Sequence, residues 1–324
     1  MKAAVVNELG RPPIYSEFPD PVAHEGTQVA AVVAAALKNL DRGLIAGTHY
    51  GSAGLQLPLV AGVDGVARLD DGRLVYTGAV APYGMMADRA LIDARRAVEL
   101  PPGIDPVLAA AIPNPGLSAW FSLEYAARIQ PGQHVLVLGA TGVTGSVAVQ
   151  LAKTRFGAGR VTVVGRNPDR LDWLRGVGAD HAITAGTEDF TEQIAAEHRT
   201  NPFDAVLDYL WGPPAEGALA ALGNTHLLAG YHATRYVQIG SMAGPTITLP
   251  AAILRSAGVE LIGVGLGSIP AEAQARAGSE ILPALFAMAA DGTLTVDVAR
   301  RALRDVETVW TSAEPSGRRL VFVP

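Results

Sequence analysis

The chain has 324 residues, enough for two domains with a sizeable buried core. Apolar residues make up 49% and charged residues 17%, a globular rather than a disordered composition. The formal net charge of −6 gives no basic footprint for nucleic acid, and the absence of cysteine excludes disulfides, thiolate catalysis and any cysteine-ligated zinc or iron–sulfur centre. The opening MKAAVVNELG does not read as a secretory signal, and the longest apolar runs, such as Val29–Leu37, fall short of the ~18 residues of a membrane span. A cytoplasmic protein acting on a small molecule, without nucleic acid or membrane, is the expectation.

In chain order, residues 1 to 115 read as strand-rich and turn-rich. Lys2–Val6, Gln28–Ala36, Arg73–Tyr76 and Arg95–Leu100 fit antiparallel strands with mixed sides. The stretch 112-IPNPGLSAWFSLEYAARI-129 is a Pro/Gly break followed by a helix and is read as the hinge. From 134 to 267 strands and helices alternate. Strands are expected at 135–138, 161–164, 181–183, 205–208, 236–239 and 260–264, with helices at 143–156, 168–176, 189–198, 214–222 and 250–256. Such alternation predicts a doubly wound parallel sheet. A helix over Glu280–Ala290 and a strand 319-RLVFVP-324 close the chain, the strand rejoining the first domain. The resulting division is 1–115 with 270–324, and 116–269. The segment 259–268 is read as the final strand of the parallel sheet, lying at its edge with both faces covered.

The most informative segment is 134-HVLVLGATGVTGSVAVQLAK-153. Val135–Leu138 reads as a buried parallel strand, short and without polar alternation. Gly139, Gly142 and Gly145 follow, and from Val143 the pattern turns helical, with Val147, Ala148 and Leu151 on one face. A strand, a glycine turn and a helix N-terminus form an anion site, because free N–H groups and the positive end of the helix dipole face the turn. Gly139, Thr141, Gly142, Val143, Thr144 and Gly145 are therefore expected to cradle a dinucleotide pyrophosphate. The spacing has one residue more than G-x-G-x-x-G between its first two glycines.

The second strand of the unit sets the cofactor preference. An acidic residue about 20 residues past the glycine turn ordinarily takes the ribose 2′-hydroxyl of NAD. Here 161-VTVVG-165 runs into Arg166 and Asn167 instead. A guanidinium there would pair with a 2′-phosphate, which points to NADPH, with Arg170 one helical turn on as a second partner. The alternative is a solvated Arg166, with Asp169 on the ribose. Other constellations are missing: no tyrosine is followed four residues later by lysine, no G-x-S-x-G exists, and the histidines at 24, 49, 134, 181, 198, 226 and 232 form no H-x-x-x-H.

The whole chain resembles the zinc-independent quinone oxidoreductase branch of the medium-chain dehydrogenase/reductase superfamily. The resemblance is carried by the opening MKAAVV, by 36-ALKNLDRGLIAGTHY-50, 58-PLVAGVDGVARL-69 and 113-PNPGLSAW-120, by the Gly139-Ala-Thr-Gly142-Val-Thr-Gly145 turn, and by the ending 317-GRRLVFVP-324. It departs from zinc alcohol dehydrogenases, which carry Gly-His-Glu where this chain has Gly62-Val63-Asp64. The resemblance implies an α/β fold: a doubly wound Rossmann cofactor domain plus a mostly antiparallel, GroES-like β catalytic domain.

It also implies hydride transfer from NADPH to a quinone or enone without zinc. Asn39 and Ser118 would contact the nicotinamide end, and Leu210, Ser241 and Val264 its ribose and carboxamide. Tyr50 and Asp41 would face the substrate, with either Tyr50 or water as proton donor. His49 beside Tyr50 and Trp211 are left without an assigned role. Asp64 would order a loop. The edge strand would pair with a second copy in a homodimer. Two alternatives stand beside this reading: an enoyl-thioester reductase, needing a basic entrance for which Arg42 and Arg89 are the candidates, and a non-catalytic NADPH-binding protein.

Overall fold

The computed structural model describes residues 1–223, 230–312 and 317–324; His226 lies outside them. The chain divides into two compact units, Met1–Asn114 with Arg276–Pro324, and Pro115–Ala275.

In the first unit the strands are β1 (Lys2–Val6), β2 (Ile14–Glu17), β3 (Gln28–Ala36), β4 (Leu59–Val60), β5 (Asp64–Arg68), β6 (Leu74–Gly78), β7 (Arg89–Ile92) and β8 (Val98–Glu99). β1 holds β2 and β4 antiparallel in a small sheet. The nine-residue β3 organises the larger one, pairing antiparallel with β5 and β7. Its alanines and valines line a core that includes Ile92, Phe322 and Trp310. The stretch 95–100 is not one strand. Asp93 Oδ1 accepts from the Arg95 N–H at 3.0 Å and starts a 3-10 turn over Ala94–Arg96, leaving only β8 to pair. This local side-chain bond competes with the ladder, as aspartate often does.

The second unit has β9 (His134–Leu138), β10 (Arg160–Gly165), β11 (His181–Thr184), β12 (Ala205–Asp208), β13 (Ala233–Gln238) and β14 (Gly258–Gly263). They form one parallel sheet in the order β11-β10-β9-β12-β13-β14, with helices in the crossovers. The chain winds outward from β9 on one side, then returns to β12 on the other, so the switch point lies between β9 and β12. β9 is buried at all five positions: Val135–Leu138 as their unbroken apolar run predicts, and His134 at its start as well. The helix Val143–Thr154 is buried from Gly145 to Ala152, not on one face alone. Its two polar side chains there bond back to the helix's own carbonyls: Ser146 Oγ donates to Val143 O at 2.9 Å, and Gln150 Nε2 to Ser146 O at 3.1 Å. β14 is the sheet's edge, but its faces are not covered, since Glu260 and Leu261 are exposed. Its poor alternation reflects its edge position, where one strand neighbour and few side chains press on it.

The chain then returns to the first unit. β15 (Asp297–Ala302) and β16 (Arg318–Val323) pair in parallel, and β16 joins β3 antiparallel through Val321 and Ala36. The closing strand thus rejoins the first unit as the sequence suggests.

Candidate functional site

The parallel sheet brings the cofactor candidates to one edge. Val164, Leu138, Asp208, Gln238 and Gly263 lie in register across five strands. The residues that follow them are Arg166, Gly139, Leu210, Ser241 and Val264. Five sequence-predicted positions therefore leave the sheet at its carboxyl edge, where open α/β sheets bind ligands.

The three glycines at the turn have different steric duties. Gly139 has φ +80°, and a Cβ there would lie 3.0 Å from Leu210 Cδ2. Gly145 faces the strand so closely that a Cβ would be 2.4 Å from Gly139 O. Gly142, the N-cap of the helix Val143–Thr154, has room: its Cβ would meet only Gly139 O, at 3.4 Å. The first two positions need glycine for the fold itself. Gly142 needs it only if something approaches from outside, as a pyrophosphate would. Val143 and Thr144 open the helix half-buried, where first-turn N–H groups lack helical acceptors. Thr141 is buried and turned onto β10, since a Cβ at Gly165 would meet its Cγ2 at 2.2 Å. Its side chain ties the turn to the strand that ends at Gly165, just before Arg166.

Arg166 is exposed and has no ion-pair partner among the described residues. Asn167 is a helix cap: its Oδ1 accepts from Arg170 N at 3.1 Å, ahead of Pro168. The Arg170 guanidinium lies over the Trp173 ring at 4.1 Å. Of the three polar groups assigned to the adenosine end, only Arg166 presents a charge free of internal partners.

Asp208 escaped the sequence reading. It is fully buried, and its Oδ1 accepts from Leu210 N at 2.8 Å and Trp211 N at 3.0 Å while Oδ2 accepts from Tyr236 Oη at 2.8 Å. Burial raises its pKa, against the lowering effect of these donors. The clamp holds Trp211 at φ +56° as the N-cap of the helix Gly212–Leu222 and sets Leu210 against Gly139. Trp211 is thus a helix-start residue that packs on the core beneath the sheet. Val264 is buried and donates its N–H to Gln238 O at 2.8 Å, Ser241 is exposed beyond β13, and Ser118 is half-buried with its carbonyl accepting from Ser122 Oγ at 2.7 Å.

In the first unit the picture differs. Asp41 is buried: Oδ2 accepts from Lys38 N at 2.9 Å and lies 3.3 Å from Lys38 Nζ, and Oδ1 accepts from Val63 N at 3.0 Å. Lys38 Nζ also reaches Asp64 Oδ1 at 2.9 Å and Ala36 O at 3.1 Å. Burial pulls the Lys38 pKa down, but the two carboxylates outweigh it and the net shift is upward. Asp41 therefore anchors the helix Asn39–Ile45 to the segment before β5, a structural duty rather than a free carboxylate facing substrate. Asp64 does tie down that segment. Tyr50 is 78% exposed, with its ring 4.0 Å from that of His49. His49 caps the short turn Tyr50–Gly54, its Nδ1 accepting from Gly51 N at 3.0 Å. Asn39 is exposed at the start of its helix.

The profile of the family described as zinc-binding dehydrogenase matches residues 143–280. A probable NADPH-dependent quinone reductase, tdiC, of Emericella nidulans is 28% identical over the full length of both chains. The solved quinone oxidoreductase of Thermus thermophilus, also known in complex with NADPH, superposes with a TM-score of 0.81 at 27% identity, both chains covered in full. A trans-enoyl reductase, pgmF, of Aspergillus terreus is 31% identical over 55% of this chain and 47% of its own. Of a mycocerosic acid synthase-like polyketide synthase and a phthioceranic/hydroxyphthioceranic acid synthase of Mycobacterium tuberculosis, which also match, the chain spans only 12% and 7%.

Over its full length the chain is similar to quinone oxidoreductases of the medium-chain dehydrogenase/reductase superfamily. Within that superfamily the segment Gly62–Asp64 stands where zinc enzymes carry Gly-His-Glu, and its residues do not fit a zinc ion. Val63 offers no side-chain ligand, Asp64 is held by Lys38, and the chain has no cysteine. Among the described residues no group of three or more His, Asp and Glu is arranged to hold a metal. No described helix is long and apolar enough to cross a membrane. Of the two arginines considered for a basic entrance, Arg42 donates to Trp310 O at 3.0 Å and Ser312 O at 3.3 Å, and exposed Arg89 lies 3.8 Å from Asp20.

Proposed function

We propose that this protein is an NADPH-dependent reductase of quinones and enones that works without zinc. The observation that carries the reading is the carboxyl edge of the parallel sheet, where Gly142 leaves room for a pyrophosphate and Arg166 offers an unpaired guanidinium. Bound there, NADPH would supply a hydride to the substrate. Gly142 and the N–H groups of Val143 and Thr144 would receive the pyrophosphate, and Arg166 the 2′-phosphate. The relatives named NADPH-dependent quinone reductase and quinone oxidoreductase support the same cofactor and substrate class. Asn39 and Ser118 at the nicotinamide, and Leu210, Ser241 and Val264 along its ribose, belong to this reading as well. Exposed Tyr50 is the candidate proton donor to the reduced substrate's oxygen.

Without a metal, charge on the reduced carbonyl must spread through the conjugated system, which favours enones and quinones over simple ketones. The reading includes a cytoplasmic homodimer joined through β14, whose unpaired edge a second copy would cover. Similarity to a trans-enoyl reductase favours enoyl substrates as a second reading. Stopped-flow absorbance at the NADPH band tests both. Oxidation with a naphthoquinone or a simple enone, undiminished after chelation, is expected. Turnover only with enoyl thioesters would favour the second reading, and binding without turnover of either would overturn both.

A further inference from the structure

β12 ends at Asp208, and the next residue, Tyr209, stands beside β9 at the switch point of the sheet. Its N–H donates to Leu138 O at 3.2 Å, and a Cβ at Gly139, where the glycine turn begins, would lie 3.4 Å from its own Cβ. The loop after β13 presses on its other side, since a Cβ at Gly240 would stand 2.6 Å from Tyr209 O. Asp208 bonds Tyr236, which belongs to the core shared with the helices Phe190–Thr200 and Gly212–Leu222. Strand alternation turns Tyr209 to the opposite face. That is the face of the helix Val143–Thr154, which packs on β9 and β10 without joining this core. Tyr209 is 7% exposed, and among the described residues its hydroxyl has no hydrogen-bond partner. A buried tyrosine hydroxyl ordinarily finds one. Burial alone raises its pKa, so the phenol keeps its proton and stays a donor.

We infer that the Tyr209 hydroxyl is a positioning donor for the bound dinucleotide, directed to the carboxamide oxygen of its nicotinamide. The inference rests on the proposed NADPH site at this edge and adds to it a side chain that the backbone cradle lacks. In that site the phosphates are served by the turn after β9 and by Arg166 after β10. β12 lies on the other side of β9, so the end of the dinucleotide that reaches it is the nicotinamide end. A buried neutral phenol answers an uncharged acceptor, and the amide carbonyl is the strong acceptor at that end. While unmet, the hydroxyl is a burden on the fold; a ligand that meets it removes that burden. Tyr209 is held between Gly139 and Gly240, so the donor is preorganised before the ligand arrives.

Tyr209→Phe keeps the ring and removes only the oxygen. The first readout is thermal unfolding of the protein alone, without cofactor. Deleting a buried hydroxyl that no protein group serves should leave the melting temperature unchanged or raise it. The second readout is equilibrium binding by tryptophan fluorescence, which needs no turnover. The NADPH Kd should rise about tenfold in Tyr209→Phe, the loss of one hydrogen bond. The Kd of 2′-phospho-ADP-ribose, which lacks the nicotinamide, should be the same in both proteins. Thionicotinamide NADPH, whose sulfur is a weak acceptor, should bind wild type more weakly than NADPH does, and Tyr209→Phe about as well as NADPH does. A clear fall in melting temperature would show that the hydroxyl serves the fold, and equal NADPH affinity in both proteins that it serves nothing at the cofactor; either overturns the inference. So would an equal loss of phospho-ADP-ribose affinity, which would move the contact off the nicotinamide. Wild type that binds neither NADPH nor the fragment would overturn the NADPH reading itself, whereas wild type that binds both, matched by Tyr209→Phe, overturns this inference alone.

Discussion

The two units carry their chemistry in opposite ways. In Pro115–Ala275 the candidate site is made of backbone, glycine and one exposed arginine at the edge of a parallel sheet. In Met1–Asn114 the charged candidates are paired, with buried Lys38 held between Asp41 and Asp64, while Asn39 and Tyr50 stay exposed. The first arrangement binds by leaving room and leaving charge unpaired. The second stabilises by consuming charge. Substitutions should therefore separate: in the first unit the ion cluster should move stability, and in the second the turn should move binding.

The largest expected effect lies in the ion cluster. Lys38→Met removes the ammonium from between buried Asp41 and half-buried Asp64, leaving Arg319 as the cation that still acts on both carboxylates. Breaking a buried pair in this way costs about 3–5 kcal/mol, because the orphaned charges lose compensation. Urea unfolding should show that loss. Lys38→Met together with Asp64→Asn should recover part of it. A loss below about 1 kcal/mol, the range of a surface pair, would mean that water reaches the cluster and the contrast between the units is false.

The glycine turn should do the reverse. Gly142→Val places a branched side chain where the protein itself offers only a 3.4 Å contact, so the melting curve should hardly move. The NADPH Kd should rise about a hundredfold, a difference of ~2.7 kcal/mol. Gly145→Ala makes the opposite prediction, since its Cβ would stand 2.4 Å from Gly139 O and the backbone must shift. That overpacking should destabilise the unit by about 1–3 kcal/mol. Calorimetric titration beside thermal melts distinguishes them. Two variants with the same profile would show that the turn is a structural feature only.

How much of this could be read from the sequence depends on how local the cause is. The β9 strand, its glycine turn and Arg166 lie within 33 residues of each other, and their physics is set by neighbours in the chain. Arg170 stacking on Trp173 was equally accessible, being an (i, i+3) pair on a helix. Asp208 was not, because its partner Tyr236 lies 28 residues on. Nor was Lys38, whose carboxylate at Asp64 is 26 residues away across a strand pair. The resemblance places Asp41 facing the substrate; its neighbour Lys38 is visible in the sequence, but the burial that occupies both of its oxygens is not.

Arg166→Ala sharpens the cofactor half of the contrast. One charge-assisted contact is worth about 1.5–3 kcal/mol, so NADPH affinity should fall roughly tenfold or more while NADH affinity stays near its starting value. Fluorescence titration of both cofactors measures this directly. Parallel losses for the two would remove Arg166 from the 2′-phosphate and return the ribose to Asp169. Arg170→Ala should have the smaller effect on selectivity, since its guanidinium already rests on Trp173.

The smallest effect concerns acid. At the amino edge of the parallel sheet His198 stacks on Phe203 with ring centroids 5.4 Å apart, and its Nδ1 accepts from Phe203 N at 3.0 Å. His232 stands 6.0 Å away, itself 3.5 Å from Asp204, while His134 lies against Phe203 and 3.9 Å from Glu197. Burial first, then the two neighbouring histidines, push the His198 pKa down to about 4. A histidine held neutral in the folded state contributes its stability above its unfolded pKa, near 6.5. That contribution is lost as the pH falls from there toward 4, because the unfolded chain takes up the proton first. His134 is lowered too, chiefly by burial, and acts in the same direction. The loss should be roughly 1 kcal/mol once solvent screening of a half-buried group is allowed for. His198→Asn keeps an acceptor for the Phe203 N–H and cannot titrate, so its unfolding free energy should fall less steeply between pH 6.5 and 4. An identical slope in both proteins would show that the neutral imidazole is not what holds this edge.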